Sequence, residues 1–166
     1  MMKPNLIIDQ INKSLPGSIE EHYEYRGELC VYVKNEFFPE LMKLLRNDKS
    51  FNYDLLLDVA GIDRLPVEPR FELVYVLFSL EHNRRLIVKL KVDISDTVPS
   101  MTYIWKSADW PEREVFDLLG INFSDHPDLR RILTWDNFEG HPLRKDFPLK
   151  GKDFDKKFDP DTIKVY

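Results

Sequence analysis

The sequence has a single cysteine, few glycines and no long apolar run, and each shortage excludes a class of protein. Cys30 alone can form no internal disulfide bond and cannot hold an iron–sulfur cluster, which needs several thiolates. The six glycines do not match a dinucleotide-binding fingerprint or a phosphate-binding loop. The longest apolar runs, such as residues 73–78, fall far short of the roughly 18–20 residues that cross a bilayer.

Charge restricts the chain further. Its 166 residues carry a net charge of −5, with acidic and basic residues interspersed. The sequence shows no basic stripe of the kind that binds nucleic acid. The N-terminal run MMKPNLIIDQINKS is too polar for a secretory signal peptide. We therefore expect a soluble chain, with one core domain and an extension, that contacts a membrane only through partners.

The histidines are the best candidates for a metal site, and their spacing argues against one. His126 has Asp125 and Asp128 as neighbours, and His141 lies further along the chain. Zinc sites need three or four convergent ligands, and no H-E-x-x-H or paired C-x-x-C motif occurs. Both histidines precede proline, which favours turn or extended backbone. We expect His126 and His141 to be turn residues that form hydrogen bonds. We also expect the chain to have no metal-binding, cofactor-binding or catalytic residues. A small metal-dependent enzyme that uses these histidines and nearby acids is the alternative.

Hydrophobic periodicity predicts an α+β platform over residues 1–120. Because the strands cluster in pairs and triples, we predict a two-layer mixed sheet with helices, in the order α-β-β-α-β-β-β-α-α. The predicted elements before the last helix are a helix over 4–15, strands over 19–26 and 29–33, a helix over 36–46 capped by Asn35, strands over 51–59, 71–80 and 86–92, and a short helix over 98–106.

Two of these strands differ in how they should be covered. Residues 71–80 are apolar on both faces, which is typical of a central strand covered on both sides. Residues 86–92 alternate between apolar residues and a face that includes Lys89 and Lys91, so one of their faces should be exposed to water.

The last helix of the platform is short and highly charged. Asp109 and Glu112 fit a capping box, and Gly120 ends the helix. Glu112 nevertheless projects into the apolar side of the helix. Either it folds back as the capping carboxylate, or it is buried and paired with Arg130 or Arg131, since a lone buried charge is too costly.

The two sides of this helix are predicted to have opposite characters. Arg113, Glu114 and Asp117 fall together on the expected solvent side, where Arg113 and Asp117 form an i,i+4 pair. Glu112 points away from Glu114 and Asp117, so the three acids do not converge and the helix is not expected to be an active site. The apolar side carries Val115, Phe116, Leu118 and Leu119.

From Ile121 the periodicity disappears, and residues 121–166 are predicted to form an extended, irregular, partner-binding arm. Prolines punctuate this stretch, and its aromatic content argues against simple disorder. Its basic pairs, Arg130–Arg131 and Arg144–Lys145, could grip acidic partner surfaces or the chain's own aspartates. Phe154 and Phe158 are further candidate anchors near the end of the arm.

Two blocks in residues 107–151 match a known family. The first reads Glu112-Arg113-Glu114, two residues, DLL, six residues, His126, three residues, Arg130, one residue, IL. The second is GHPLRKDFPLKG at 140–151. Together they resemble the signature of the 30-kDa subunit family of respiratory complex I, also called the C subunit of NADH:quinone oxidoreductase.

This resemblance implies a non-catalytic structural and assembly subunit in the hydrophilic arm of a proton-translocating complex. The chain would be peripheral, on the cytoplasmic side of a bacterial inner membrane, beside the quinone-site D subunit and the iron–sulfur B subunit. It would bind no cofactor itself, since the iron–sulfur clusters, FMN and quinone belong to partner subunits. The same type of chain in a membrane-bound hydrogenase or a ferredoxin-linked quinone reductase is the alternative.

The resemblance also implies which residues form the interface with the partners. They are the charged residues and histidines of the two blocks: Glu112, Arg113, Glu114, Asp117, His126, Arg130, Arg131, His141, Arg144, Lys145 and Asp146.

Overall fold

The structure is a computed structural model that describes residues 4–151. Within this range the chain forms three α-helices and seven strands. No helix in the described range is long and apolar enough to cross a membrane. The elements are α1 (Pro4–Ser14), β1 (Ile19–Tyr25), β2 (Glu28–Val33), α2 (Phe38–Asn47), β3 (Leu55–Asp63), β4 (Phe71–Ser79), β5 (Arg84–Val92), β6 (Thr97–Pro99), α3 (Asp109–Leu119) and β7 (Asn122–Ser124).

Five of the strands form one mixed sheet in the order β1-β2-β5-β4-β3. Strands β2 and β5 are parallel, and the other neighbours are antiparallel. The predicted α+β class with a mixed sheet is therefore confirmed. Strands β6 and β7 form a separate parallel pair, so the stretch after Ile121 begins with a strand that its sequence did not indicate.

The core lies between the helices and one face of the sheet. Alternate residues of β4 and β5, such as Leu73 and Val88, are fully buried in the same cluster as Ile11 of α1. The ring of Phe38 in α2 lies 5.0 Å from that of Tyr75 in β4. Apolar alternation in these strands therefore placed the core correctly.

The opposite face of the sheet is only partly covered, so the prediction that β4 is covered on both sides is wrong. Val76 is partly exposed there. The carboxylate of Glu72 is buried on this face, where it accepts bonds from Tyr32, Arg64 and Lys89 at 3.0, 2.6 and 2.8 Å. The buried carboxylate of Glu72 is tolerated because these three donors replace the hydrogen bonds that it would form with water. This face of β4 therefore carries a charged cluster where a second apolar layer was expected.

Three details of the predicted secondary structure are also wrong: the bounds of one strand, the cap of one helix and the existence of another helix. Strand β3 begins at Leu55 and continues through Asp63, because turns at 48–52 precede it. Asn35 does not cap α2; it begins a 3₁₀ turn, and the N-cap Phe37 makes no side-chain bond. The predicted helix at 98–106 does not form, since residues 97–99 pair with β7 and turns follow. The β-branched residues and Pro99 favour this extended backbone.

Helix α3 packs against β3, at one edge of the sheet. A side chain at Gly61 would overlap Leu119 and press on Val115 of α3. The absence of a Cβ at this position lets helix and strand approach closely.

Candidate functional site

Asp117 is the centre of the contacts that join α3 to the following segment. Its side chain is fully buried, and Arg131 donates to it at 2.7 Å. The backbone N–H groups of Ile132, Leu133 and Thr134 all donate to Oδ2, at 2.8–3.0 Å. Burial alone would raise the pKa of Asp117, but these donors and the Thr134 hydroxyl lower it to about 2. The carboxylate thus organises a tight turn of the neighbouring chain.

Arg131 extends this network to the second motif block. One of its terminal nitrogens binds Asp117, and the other donates to the carbonyls of Phe138 and Gly140, both at 3.1 Å. Its guanidinium also lies over the Phe138 ring, 5.8 Å from the centroid. A planar guanidinium is suited to several bonds in fixed directions. Arg131 therefore joins the helix to two separate parts of the C-terminal segment.

The C-terminal end of α3 is capped by residues from the second block. The backbone N–H of Leu143 donates to the Leu118 carbonyl at 3.1 Å, and Arg144 Nε donates to the Leu119 carbonyl at 2.6 Å. His141 Nδ1 lies 2.8 Å from the Asp117 carbonyl. These groups satisfy carbonyls that a helix leaves without internal partners. Gly120 ends the helix in the left-handed conformation.

Glu112 is buried and does not form the predicted capping box. The N-cap of α3 is Ala108, which makes no side-chain bond. Glu112 instead accepts bonds from the Ser100 hydroxyl at 2.6 Å and from the Met101 N–H at 2.8 Å. Burial raises the pKa of Glu112 to about 7, against the opposing effect of these bonds. The alternative of a buried carboxylate is correct, although its partners are not arginines.

His126 lies beside Glu112 and belongs to the same buried group. Its side chain is fully buried, with Nε2 4.0 Å from Glu112 Oε2. Nε2 also lies 3.1 Å from the Asp109 carbonyl, and Nδ1 accepts from the Asp128 N–H at 3.1 Å. Both ring nitrogens therefore bond the main chain, as expected of a turn residue. Within residues 4–151, no three His, Cys, Asp or Glu side chains come together as a metal site.

The three charged residues predicted to share the solvent side of α3 have different environments. Arg113 and Asp117 are buried, whereas Glu114 is exposed. Arg113 does not pair with Asp117. Its Nε donates to the Arg130 carbonyl at 3.3 Å, and its Nη1 is 3.9 Å from Asp128. The predicted i,i+4 pair is wrong because residues 128–134 bring closer partners to both side chains.

A second cluster joins the loop before β4 to the second motif block. Arg70 binds both oxygens of Asp63, at 3.1 and 2.8 Å, and both oxygens of Asp146, at 3.0 and 2.7 Å. The Lys145 N–H donates to Asp63 at 2.8 Å, and its ammonium donates to the Leu65 carbonyl at 3.0 Å. The bonds from Arg70, outweighing burial, lower the pKa of Asp63.

Four of these participants were missed at the level of sequence. Ser100 and Thr134 stand in no recognisable pattern with their carboxylate partners. Asp63 and Arg70 lie at the two ends of a loop that contains two prolines. Opposite charges that bracket such a loop are a usable signal for an ion pair.

The described part of the C-terminal segment, residues 121–151, therefore lies against α3, β3 and the loop before β4. The predicted division at residue 120 into platform and partner-binding arm remains a prediction. The anchors proposed at Phe154 and Phe158 lie outside the described residues.

A model of the respiratory-chain NADH dehydrogenase 30-kDa subunit family matches residues 31–153. The chain belongs to this family. The match includes both motif blocks, strands β3, β4 and β5 with the second half of β2, and the residues around Asp117 and Arg70.

Individual members of the 30-kDa family cover most of the chain. It is 40% identical to the C subunit of NADH-quinone oxidoreductase from Roseiflexus sp. over 95% of this chain and 91% of that protein. It is 42% identical to the C subunit from Citrifermentans bemidjiense over 92% and 94%, respectively. It is also 46% identical to NADH-ubiquinone oxidoreductase subunit 9 of Reclinomonas americana over 84% and 68%.

Two solved structures share the fold. A trypsin-resistant fragment of Nqo5 is 32% identical, with a TM-score of 0.65, over 77% of this chain and all of the fragment. A chain of the archaeal membrane-bound sulfane sulfur reductase, a respiratory membrane complex, is 26% identical, with a TM-score of 0.76. The match covers 99% of this chain and the whole of the reductase chain.

Proposed function

We propose that this chain is a structural and assembly subunit in the hydrophilic arm of a proton-translocating NADH:quinone oxidoreductase. The observation that carries the proposal is the family match through both motif blocks, whose relatives are C subunits of that enzyme. In this role the chain supports electron transfer from NADH to quinone without performing it. Flavin, iron–sulfur clusters and quinone are held by its partners.

The engagement of the motif side chains supports a non-catalytic role. Asp117 and Glu112 are buried and bonded within the chain. A catalytic acid or base must reach its substrate directly or through one water molecule. Asp117 instead holds residues 131–134 against α3, and Glu112 holds the turn at Ser100 and Met101. The buried motif residues then affect partner binding indirectly, because they hold the shape of the surface that the partners contact.

Helix α3 and residues 121–151 also expose large apolar side chains, from which a monomer gains no stability. The exposed fractions of Trp110 and Trp135 are 67% and 49%, and those of Leu133 and Leu143 are 62% and 58%. Protein interfaces are enriched in aromatic residues, and exposed apolar groups of this kind mark contact sites. We propose that the partners are the quinone-site D subunit and the iron–sulfur B subunit. The chain would then be peripheral, on the cytoplasmic side of the inner membrane.

Deleting the chain from its host tests the proposal. We expect isolated membranes to lose NADH-to-quinone electron transfer and the assembled hydrophilic arm, and the wild-type chain to restore both. Unchanged electron transfer and assembly would refute it. Leu133→Glu and Leu80→Glu are matched variants, because both leucines are 62% exposed. The first should impair assembly, while the second, placed after β4, should not.

One observation favours a second assignment, to a related membrane complex. The archaeal sulfane sulfur reductase chain matches nearly the whole length of this one. A membrane-bound hydrogenase or a ferredoxin-linked quinone reductase would use the same type of chain. Membranes that lose hydrogen- or ferredoxin-driven electron transfer on deletion, but retain NADH oxidation, would favour this assignment. Stoichiometric metal in the purified chain would instead favour the metal-dependent enzyme.

A further inference from the structure

The two edges of the main sheet are protected very differently. Strand β1, at one edge, reads IEEHYEY and exposes charged side chains along most of its length. Strand β3, at the other edge, reads LLLDVAGID. It exposes Leu55, Leu57 and Ile62, whose exposed fractions are 38%, 47% and 44%. Charge on an edge strand prevents pairing with other chains, whereas a long apolar edge invites it.

Within residues 4–151, other segments contact both ends of β3 on its outer side and leave its middle open. Near its beginning, the Ser107 hydroxyl donates to the Leu56 carbonyl at 2.9 Å. At its end, the Lys145 N–H donates to the Asp63 side chain at 2.8 Å. Between these points, the edge faces a crevice of about 230 Å³ that α3 and Leu143 enclose.

The ladder register shows which backbone groups face this crevice. The Arg64 N–H donates to the Arg70 carbonyl at 2.7 Å, in the same register as the β3–β4 ladder. In an antiparallel ladder, hydrogen-bonded residues alternate with residues whose backbone groups point outward. The outward residues are therefore Val59 and Gly61. Their spacing of two residues is the spacing at which an added strand would pair with this edge.

The charges beside the crevice indicate the composition of such a strand. Asp58 and Glu114 line it from opposite sides, and both are exposed. Neither forms a hydrogen bond or ion pair with any residue in the described range. Two unpaired carboxylates on facing walls favour a basic occupant.

We propose that the open edge of β3 docks an extended basic segment of a partner polypeptide, which adds a strand beside Val59 and Gly61. A lysine or arginine of the segment lies between Asp58 and Glu114, and its apolar residues cover Leu57 and Ile62. Backbone bonds supply affinity in this mode of recognition, and the side chains supply specificity. The partner is taken to be another subunit of the complex, so this inference rests on the proposed function.

Amide hydrogen exchange, measured on the purified complex and on the free full-length chain, tests the backbone pairing. We expect at least a tenfold slowing of exchange at Val59 and Gly61 on assembly. The amides of Ala60 and Ile62 already bond β4, so they are the internal reference. Exchange at β1 should not change. Equal exchange at Val59 and Gly61 in the two states would overturn the inference.

A photo-crosslinking residue at Ile62 tests the identity of the occupant, with the same residue at exposed Ile94 as control. We expect a crosslink from position 62 to a basic, extended segment of another subunit. The double variant Asp58→Lys/Glu114→Lys should reduce its yield at least tenfold. The control Glu24→Lys/Glu36→Lys changes the charge equally at exposed sites elsewhere and should leave the yield unchanged.

The outcomes separate this inference from the proposed function. A crosslink between two copies of this chain, or to a segment without basic residues, would overturn the inference alone. So would a chain that copurifies with the complex while its β3 edge gives no crosslink. A chain that does not copurify with the NADH:quinone oxidoreductase would overturn both.

Discussion

Replacing Asp117 with asparagine should destabilise the packing of residues 121–151 on α3 more than any other single isosteric change in the motif. The wild-type carboxylate is fully buried and binds Arg131 and three consecutive backbone N–H groups. Asparagine keeps the shape of this group but removes its charge. Its amide nitrogen must also face one of the two sets of donors, both of which need an acceptor.

The size of the effect follows from the electrostatics. Lowering the pKa of Asp117 from 3.8 to about 2 corresponds to roughly 2.5 kcal/mol in favour of the ionised form. Removing one partner of a buried ion pair costs about 3–5 kcal/mol. We therefore expect Asp117→Asn to lower the free energy of unfolding by about 3–5 kcal/mol at neutral pH. Because the folded-state pKa is the lower one, this contribution is present above about pH 4 and disappears as the pH falls towards 2.

Urea denaturation of the purified chain, with amide exchange at residues 132–134, measures this effect. Glu114→Gln is the matched control on the same helix, since Glu114 is exposed. Its free energy of unfolding should stay within about 0.5 kcal/mol of wild type. A loss below about 1 kcal/mol for Asp117→Asn, with unchanged exchange at 132–134, would refute the assigned role of this carboxylate.

Three further variants test the neighbouring contacts by the same denaturation assay. Glu112 has a pKa raised from 4.5 to about 7, so wild type should lose roughly 3 kcal/mol as the pH rises from about 4 to 7, and Glu112→Gln should abolish that loss. Arg70→Met removes the arginine from Asp63 and Asp146 and should lower the free energy of unfolding by about 3–5 kcal/mol. Arg85→Met removes an exposed ion pair and should lower it by less than about 1 kcal/mol. Gly120→Ala should cost about 1–3 kcal/mol more than Gly17→Ala, because both have positive φ but only at Gly120 does the new Cβ overlap neighbouring side chains. The role of Glu112 would be contradicted if the difference in stability between wild type and Glu112→Gln did not change with pH. The other two roles would be contradicted if Arg70→Met lost no more stability than Arg85→Met, or Gly120→Ala no more than Gly17→Ala.

Local pattern was sufficient for most of the platform. The helix predicted at 4–15 is α1, and the hairpin predicted from residues 19–33 is formed by β1 and β2. The alternation predicted over 86–92 appears in β5, where Leu86 and Val88 are fully buried. These elements have one apolar side facing a single core, which is the condition under which periodicity predicts structure reliably.

The same method failed where a distant segment supplies the surroundings. The helical pattern placed Asp117 on the solvent side because it records only which side is apolar. Residues 131–134 then cover that side and bury the carboxylate among hydrogen-bond donors. The helix predicted at 98–106 failed for a related reason, since the partner of β6 is a strand that follows α3.

The sequence by itself determined the α+β class, the segments that form most of the platform and, through the two motif blocks, membership of the 30-kDa subunit family. Each of these depends on local periodicity or on residue order along the chain. Only the tertiary structure decided the partners of Glu112, Asp117 and Arg70, and the open edge of β3. Those features join residues up to 82 positions apart, and a charged side chain has no preferred partner until the backbone brings one within hydrogen-bonding distance.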